Sequence, residues 1–160
     1  MAQEIERKFL VTGPFHDAHT AHSRIVQGYL CSVPERTVRV RLVGEKGVLT
    51  IKGIGNASGA SRFEWERELP VAEAEALLAL CEPGVIDKIR YLVPVGTHTF
   101  EVDEFHGENE GLVVAEIELA DEHDAFERPA WLGIEVTGDV RYYNAMLMRE
   151  PYRRWSEKGH

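Results

Sequence analysis

The chain has 160 residues, 44% of them apolar and 28% charged, with 27 acidic against 18 basic side chains and a formal net charge of −9. That length suits one domain, 1–160, around one core, and the apolar share excludes a disordered tail. The acid excess argues against a non-specific nucleic-acid or anionic-membrane binder, because both rest on a net basic surface.

In chain order, period-two alternation of apolar and polar residues predicts strands at EIERKFLV (4–11), RIVQGYL (24–30), RTVRVRLV (36–43), VLTIKG (48–53) and SRFEWEREL (61–69). The Gly/Ser/Asn-rich GIGNASGAS (53–61) between the last two reads as a long hairpin loop. PVAEAEALLALC (70–81) opens on a proline and acids and closes on an apolar face, which predicts a surface helix. Alternation returns in DKIRYLV (87–93), HTFEVDEF (98–105) and VVAEIEL (113–119). A short helix is expected at DEHDAFERP (121–129), stopped by its proline, and a further strand around IEVTG (134–138). NAMLMREPYRRW (144–155) predicts a last helix, with Asn144 as cap and Pro151 as a break. Many antiparallel strands with a few outer helices make the class α+β, with a curved or closed sheet.

Cys31 and Cys81 lie far apart with no metal-ligand spacing, and read as two reduced thiols. The opening MAQEIERKFL carries charges where a signal peptide needs apolar residues, and no run is long enough for a membrane span. A cytoplasmic protein is expected. His16, His19 and His22 form an HxxHxxH spacing, but their stretch is polar and loop-like, so a solvated surface segment is the better reading.

The polar strand faces carry the chemistry. Successive side chains alternate between the two faces of a strand, so Glu4, Glu6 and Lys8 project together. So do Arg39 with Arg41, Arg62 with Glu64, Glu66 and Glu68, Lys88 with Arg90, Glu101 with Asp103, and Glu116 with Glu118. Any one pair is explained by salt bridging on a wet sheet. Together, bases beside clustered carboxylates suit a polyphosphate bound with a divalent metal: guanidinium and ammonium groups clamp phosphate oxygens, and hard carboxylate oxygens hold Mg²⁺ or Mn²⁺.

The ordered set Glu4-Ile5-Glu6-Arg7-Lys8, QGYL (27–30), TVRVR (37–41), TIKG (50–53), RFEWE (62–66), DKIRY (87–91), FEVDEF (100–105), AEIEL (115–119) and EVTGDVRYYN (135–144) resembles the CYTH domains, the triphosphate tunnel metalloenzymes. The resemblance spans 4–144 and leaves 145–160 as a C-terminal helix and tail. It implies a closed eight-stranded antiparallel β-barrel with a charged tunnel, acting on triphosphates with a divalent metal. Carried over residue by residue, it implies Glu4, Glu6, Glu116 and Glu118 as metal ligands or their water-mediated partners, with Glu64, Glu66 and Asp103 as further candidates. It implies Lys8, Arg39, Arg41, Lys52, Arg62, Lys88 and Arg90 as a phosphate clamp, joined by Arg141. Apart from that resemblance, Tyr29 is a candidate general base together with Lys8, provided its hydroxyl reaches the lysine, whose ammonium would lower the tyrosine pKa.

The expected function is Mg²⁺-dependent hydrolysis of inorganic triphosphate to pyrophosphate and phosphate, with Mn²⁺ as the other candidate ion. Thiamine triphosphatase and adenylate cyclase activities are the alternatives inside the family, and a non-catalytic polyphosphate-binding barrel is the alternative outside it. The partner is a small-molecule triphosphate, with no nucleic acid and no membrane, and a homodimer is left open.

Overall fold

The computed structural model describes residues 5–55, 62–121 and 123–155, and of Gly55 and Arg62 the backbone alone. The alternating stretches become nine strands: β1 (Ile5–Val11), β2 (Ala21–Cys31), β3 (Arg36–Val43), β4 (Lys46–Gly55), β5 (Arg62–Leu69), β6 (Ile86–Val95), β7 (His98–Phe105), β8 (Val113–Leu119) and β9 (Leu132–Glu135). Two α-helices accompany them among the described residues, α1 (Val71–Leu78) and α2 (Asn144–Arg149). The chain divides into two compact units: Arg24–Asp87, and residues 1–23 together with 88–160.

The strands form one antiparallel sheet in the hydrogen-bonded order β5-β4-β3-β2-β6-β7-β8-β1-β9. This corrects the expected closed eight-stranded barrel. A strand has two hydrogen-bonding edges, and β1 uses one on β8 and the other on β9. Among the described residues the hydrogen-bonded order is therefore open, with β9 as a ninth strand on the second edge of β1.

In the 1–23/88–160 unit, one sheet face supplies Phe9, Val93, Phe100, Val102, Ala115, Ile117 and Leu119 to a buried cluster completed by Phe15 and Trp131. Burying such side chains stabilises by about 1.5–3 kcal/mol each, so the parity of these strands is fixed, and Glu6, Lys8, Lys88, Arg90, Glu101, Asp103 and Glu116 stand on the other face. In the Arg24–Asp87 unit, α1 packs through buried Ala74. A Cβ at Gly47 of β4 would lie 2.7 Å from the Ala74 Cβ, so the close approach of helix to strand requires glycine there.

The helix expected over 70–81 is present as α1, and the last one stops at Arg149, before Pro151, with a 3₁₀ turn following at Tyr152–Arg154. No helix forms over the described part of 121–129. The Asp124 carboxylate accepts from the backbone N–H groups of Ala120 and Asp121, each at 3.1 Å, and Asp121 accepts from His123 N at 2.8 Å. These local bonds compete with helix formation for the same backbone donors. The hairpin loop expected at 53–61 lies outside the described residues at 56–61, although β4 and β5 do pair antiparallel. His16 opens a 3₁₀ turn, and the rings of His16, His19 and His22 pack around Tyr91 at centroid distances of 5.1, 5.1 and 5.8 Å. Both cysteines are free and half-buried. Among the described residues no helix is long and apolar enough to cross a membrane.

Candidate functional site

Each unit carries its own charged face. In the 1–23/88–160 unit, antiparallel pairing sets Lys8 opposite Glu116 and Glu6 opposite Glu118. The β7–β8 register sets Glu101 opposite Glu116, and the β6–β7 register sets Arg90 opposite Asp103. Directly opposed residues share a face, so four strands deliver their polar side chains to one side of the sheet.

Two groupings result there. In the first, Lys8 Nζ lies 3.4 Å from Glu116 Oε1, donates to the Tyr142 carbonyl at 3.5 Å, and sits 4.9 Å from the centre of the Tyr143 ring. A hydrogen bond to Glu116 pushes the Glu6 carboxyl up to about 7, and burial and the negative charges of Glu116 and Glu118 act in the same direction. Burial works to raise Glu116 as well, but the hydrogen bond from Glu6 and the Lys8 ammonium outweigh it and hold Glu116 below its ordinary value. The two neighbouring carboxyl groups beside the lysine are thus pushed in opposite directions, as like charges held close together are. Glu6, Lys8, Thr137, Gly138 and Tyr143 line a cleft of about 280 Å³.

The second grouping is an ion-pair knot. Asp103 accepts from Lys88 Nζ at 2.8 Å and from Arg90 Nε and Nη2 at 2.8 and 2.9 Å. Arg90 Nη1 also lies 3.5 Å from Glu101. The Lys88 and Asp103 side chains are only 1% and 8% exposed. Burial pulls the Lys88 ammonium down from its usual range, partly offset by the Asp103 charge. Burial would raise Asp103, but the hydrogen bonds and charges of Arg90 and Lys88 prevail and keep it low. Asp103 is therefore a carboxylate with both oxygens engaged by cations.

In the Arg24–Asp87 unit, register aligns Tyr29, Arg39, Thr50 and Glu66 in one row across β2 to β5, and Thr37, Lys52 and Glu64 in a second. Arg41 stands opposite Gln27 and Val48. Thr50 donates to Glu66 at 3.1 Å, and Lys52 lies 4.0 Å from Glu64. Tyr29, Thr37, Arg39, Thr50 and Lys52 line a hollow of about 100 Å³. Arg39 Nε is buried there with no hydrogen-bond partner among the described residues, and so is Gln27 Oε1. An unsatisfied buried guanidinium donor beside a lysine suits an anionic oxygen.

Of the remaining sequence candidates, Glu118 is exposed opposite Glu6, and Arg141 is held at the surface by Asp139, with Nη2–Oδ2 at 2.7 Å. Glu4 lies outside the described residues, as does the Arg62 side chain. Sequence reasoning passed over Thr37, Thr50, Thr137 and Tyr143, which line the two openings. Thr37 and Thr50 share parity with Arg39 and Lys52, a signal that was available; Thr137 and Tyr143 reach Lys8 from the segment that follows β9, and no local pattern announces that.

The donor set fits a divalent cation. Glu6, Glu116 and Glu118 are hard oxygen donors on one face of paired β1 and β8, and a cation would relieve the mutual repulsion that raises Glu6. Among the described residues no three His, Cys, Asp or Glu form a complete cage, so substrate oxygens or water would finish the coordination. The 1–23/88–160 unit thus carries grouped carboxylates beside Lys8, and the Arg24–Asp87 unit carries basic side chains around a hollow; phosphate chemistry calls for both kinds of group.

The chain belongs to the CYTH domain family, whose model matches residues 2–150. It is 48% identical over 158 residues, 98% of this chain and 100% of the relative, to an inorganic triphosphatase of Acetivibrio thermocellus. It is 39% identical over 150 residues, 90% of this chain and 95% of the relative, to an inorganic triphosphatase of Nitrosomonas europaea. A crystal structure of an inorganic triphosphatase matches with a TM-score of 0.77 at 34% identity, covering 92% of this chain and 95% of that one.

Proposed function

We infer that this chain is a hydrolase of phosphoanhydride bonds that splits inorganic triphosphate into pyrophosphate and phosphate with a divalent cation. The observation that carries the reading is the Glu116 carboxylate 3.4 Å from the Lys8 ammonium, with Glu6 and Lys8 lining one cleft, in a family whose two named relatives are inorganic triphosphatases. Triphosphatases of this family depend on metal in general; Mg²⁺ is the ion we assign, and Mn²⁺ suits the same hard donors.

Triphosphate resists water largely because its oxygens repel an incoming nucleophile. Basic side chains that neutralise those oxygens leave less charge to be reorganised as the bond breaks, and we assign that role to Arg39, Arg41 and Lys52 of the Arg24–Asp87 unit. Glu6 and Glu116 hold the cation, which supplies Lewis-acid stabilisation of charge on the phosphoryl oxygens when bound. Tyr29, on the wall of the hollow with Arg39 and Lys52, is the group we assign to accept a proton from the attacking water. Two free cysteines suit a reducing compartment, and we place the protein in the cytoplasm.

Phosphate release from inorganic triphosphate tests this reading: turnover with Mg²⁺ and none after chelation by EDTA is expected, whereas tight triphosphate binding without turnover in either condition contradicts it. A pH dependence follows from Glu6. Its carboxyl keeps a proton below about pH 7, and that proton competes with the cation. Mg²⁺ affinity measured calorimetrically should fall as pH drops below 7, by up to about tenfold per unit. Glu6→Gln should remove that slope along with most of the affinity, and an affinity flat from pH 8 to 5.5 in the unsubstituted protein would count against the assignment.

A further inference from the structure

Beyond Glu135 the chain runs on beside β1, and its last bonds to that strand are of mixed kind. Val136 N donates to the Lys8 carbonyl at 2.8 Å, as a sheet ladder requires. The Lys8 N–H donates not to a backbone carbonyl but to the Thr137 hydroxyl, at 2.9 Å. That hydroxyl donates in turn to Glu135 Oε2 at 2.6 Å, and Arg7 holds the same carboxylate through Nε and Nη2 at 2.9 and 2.6 Å. Arg7 is itself fixed, its guanidinium 5.6 and 5.2 Å from the centres of the Phe9 and Phe126 rings.

Arg7 and Lys8 are neighbours and so stand on opposite faces of β1. Arg7 is locked on the apolar face, and Lys8 enters the cleft that Thr137 also lines. The threonine hydroxyl is the one group bonded to both the Lys8 backbone and the carboxylate that anchors Arg7. A β-strand that must aim a single ammonium gains accuracy from such a second tie, because the register of β1 on β9 shifts between Phe9 and Val11.

We propose that Thr137 is a positioning residue for Lys8, with Glu135 and Arg7 as its anchor: the Arg7–Glu135–Thr137 line fixes the Lys8 backbone and so aims its ammonium into the cleft. The proposal deepens the triphosphatase reading and rests on it. Thr137→Val keeps the shape and removes both the acceptor for Lys8 N–H and the donor to Glu135; Thr137→Ser keeps them.

The test is steady-state hydrolysis of inorganic triphosphate with Mg²⁺ by both variants, each made also in a Lys8→Met background. Thr137→Val should lower kcat by about tenfold or more, and serine should recover most of the loss. With Lys8→Met already present the valine should cost less than about twofold, since the two act as a unit. Hydrogen exchange at the Lys8 amide, read without substrate, should quicken in the valine variant alone and keeps the test open even if that variant melts early. A valine variant with wild-type kcat, an equal loss in the Lys8→Met background, or unchanged exchange overturns the positioning role alone. Absence of turnover by the unsubstituted protein removes the triphosphatase reading and this role with it.

Discussion

Glu116→Gln is expected to lower kcat/KM for inorganic triphosphate by about 100-fold or more, with the fold intact. Glu116 is where the first grouping meets: its charge helps to raise the Glu6 carboxyl, it lies 3.4 Å from Lys8, and it faces Glu101 across β7 and β8. Glutamine has nearly the same shape, so packing and register should survive, but it offers no negative charge to a cation and none to Lys8. Glu6, left without its carboxylate partner, should lose its proton nearer the ordinary carboxylate range. Raising Mg²⁺ should restore part of the rate, because Glu6 still offers a donor. The measurement is kcat/KM across a Mg²⁺ titration, with circular dichroism to check folding. A loss under about threefold in a folded variant would show that Glu116 is a salt-bridge residue and no more.

The second large effect is on stability. Asp103→Ala should destabilise by about 3–5 kcal/mol, because it leaves the buried Lys88 ammonium and the Arg90 guanidinium without their shared counter-charge. In a chain of this length that is a fall in Tm of roughly 10 °C. The reciprocal change is expected to be milder: Lys88→Met removes a desolvated cation that burial already disfavours, and Asp103 keeps both Arg90 bonds. Thermal melts of the two variants compare them directly. Equal losses would mean that the knot contributes through packing and not through charge compensation.

Much of this was legible in the residues because parity is a local property. Glu6 with Lys8, Arg39 with Arg41, and Glu116 with Glu118 announce a shared face two positions apart, and burial of Phe9, Ala115 and Ile117 on the other face enforces it. Which residue each would meet was not legible. Asp103 was expected as a further metal candidate, and nothing local announced that it would face Arg90 across β6 and β7 and accept from Lys88 and Arg90. Strand pairing depends on contacts distant in sequence, and the same alternation is compatible with many partners.

Closure of the sheet failed for a related reason. The four-residue β9 carries too short a pattern to reveal that it would take the second edge of β1 as a ninth strand. The helix expected at 121–129 was lost to Asp121 and Asp124, whose side chains capture the backbone donors that a helix would need. Thr137 escaped notice because a threonine after a strand is ordinary in composition; only the bond to Lys8 N distinguishes it.

Net charge proves a poor guide to the ligand. The sum of −9 counts surface acids together with carboxylates such as Glu6 and Glu116, and it hides a basic row on β3 and β4. An acidic protein can therefore handle a polyanion where its bases are grouped and a cation answers its acids.

Phosphate release measured in parallel on inorganic triphosphate, ATP and thiamine triphosphate, each with Mg²⁺ and with EDTA, tests the central claim most directly. Fastest turnover on inorganic triphosphate, yielding equal amounts of pyrophosphate and phosphate and vanishing with EDTA, is the result expected. Preference for ATP with cyclic AMP as the product, or a higher kcat/KM on thiamine triphosphate, would contradict it.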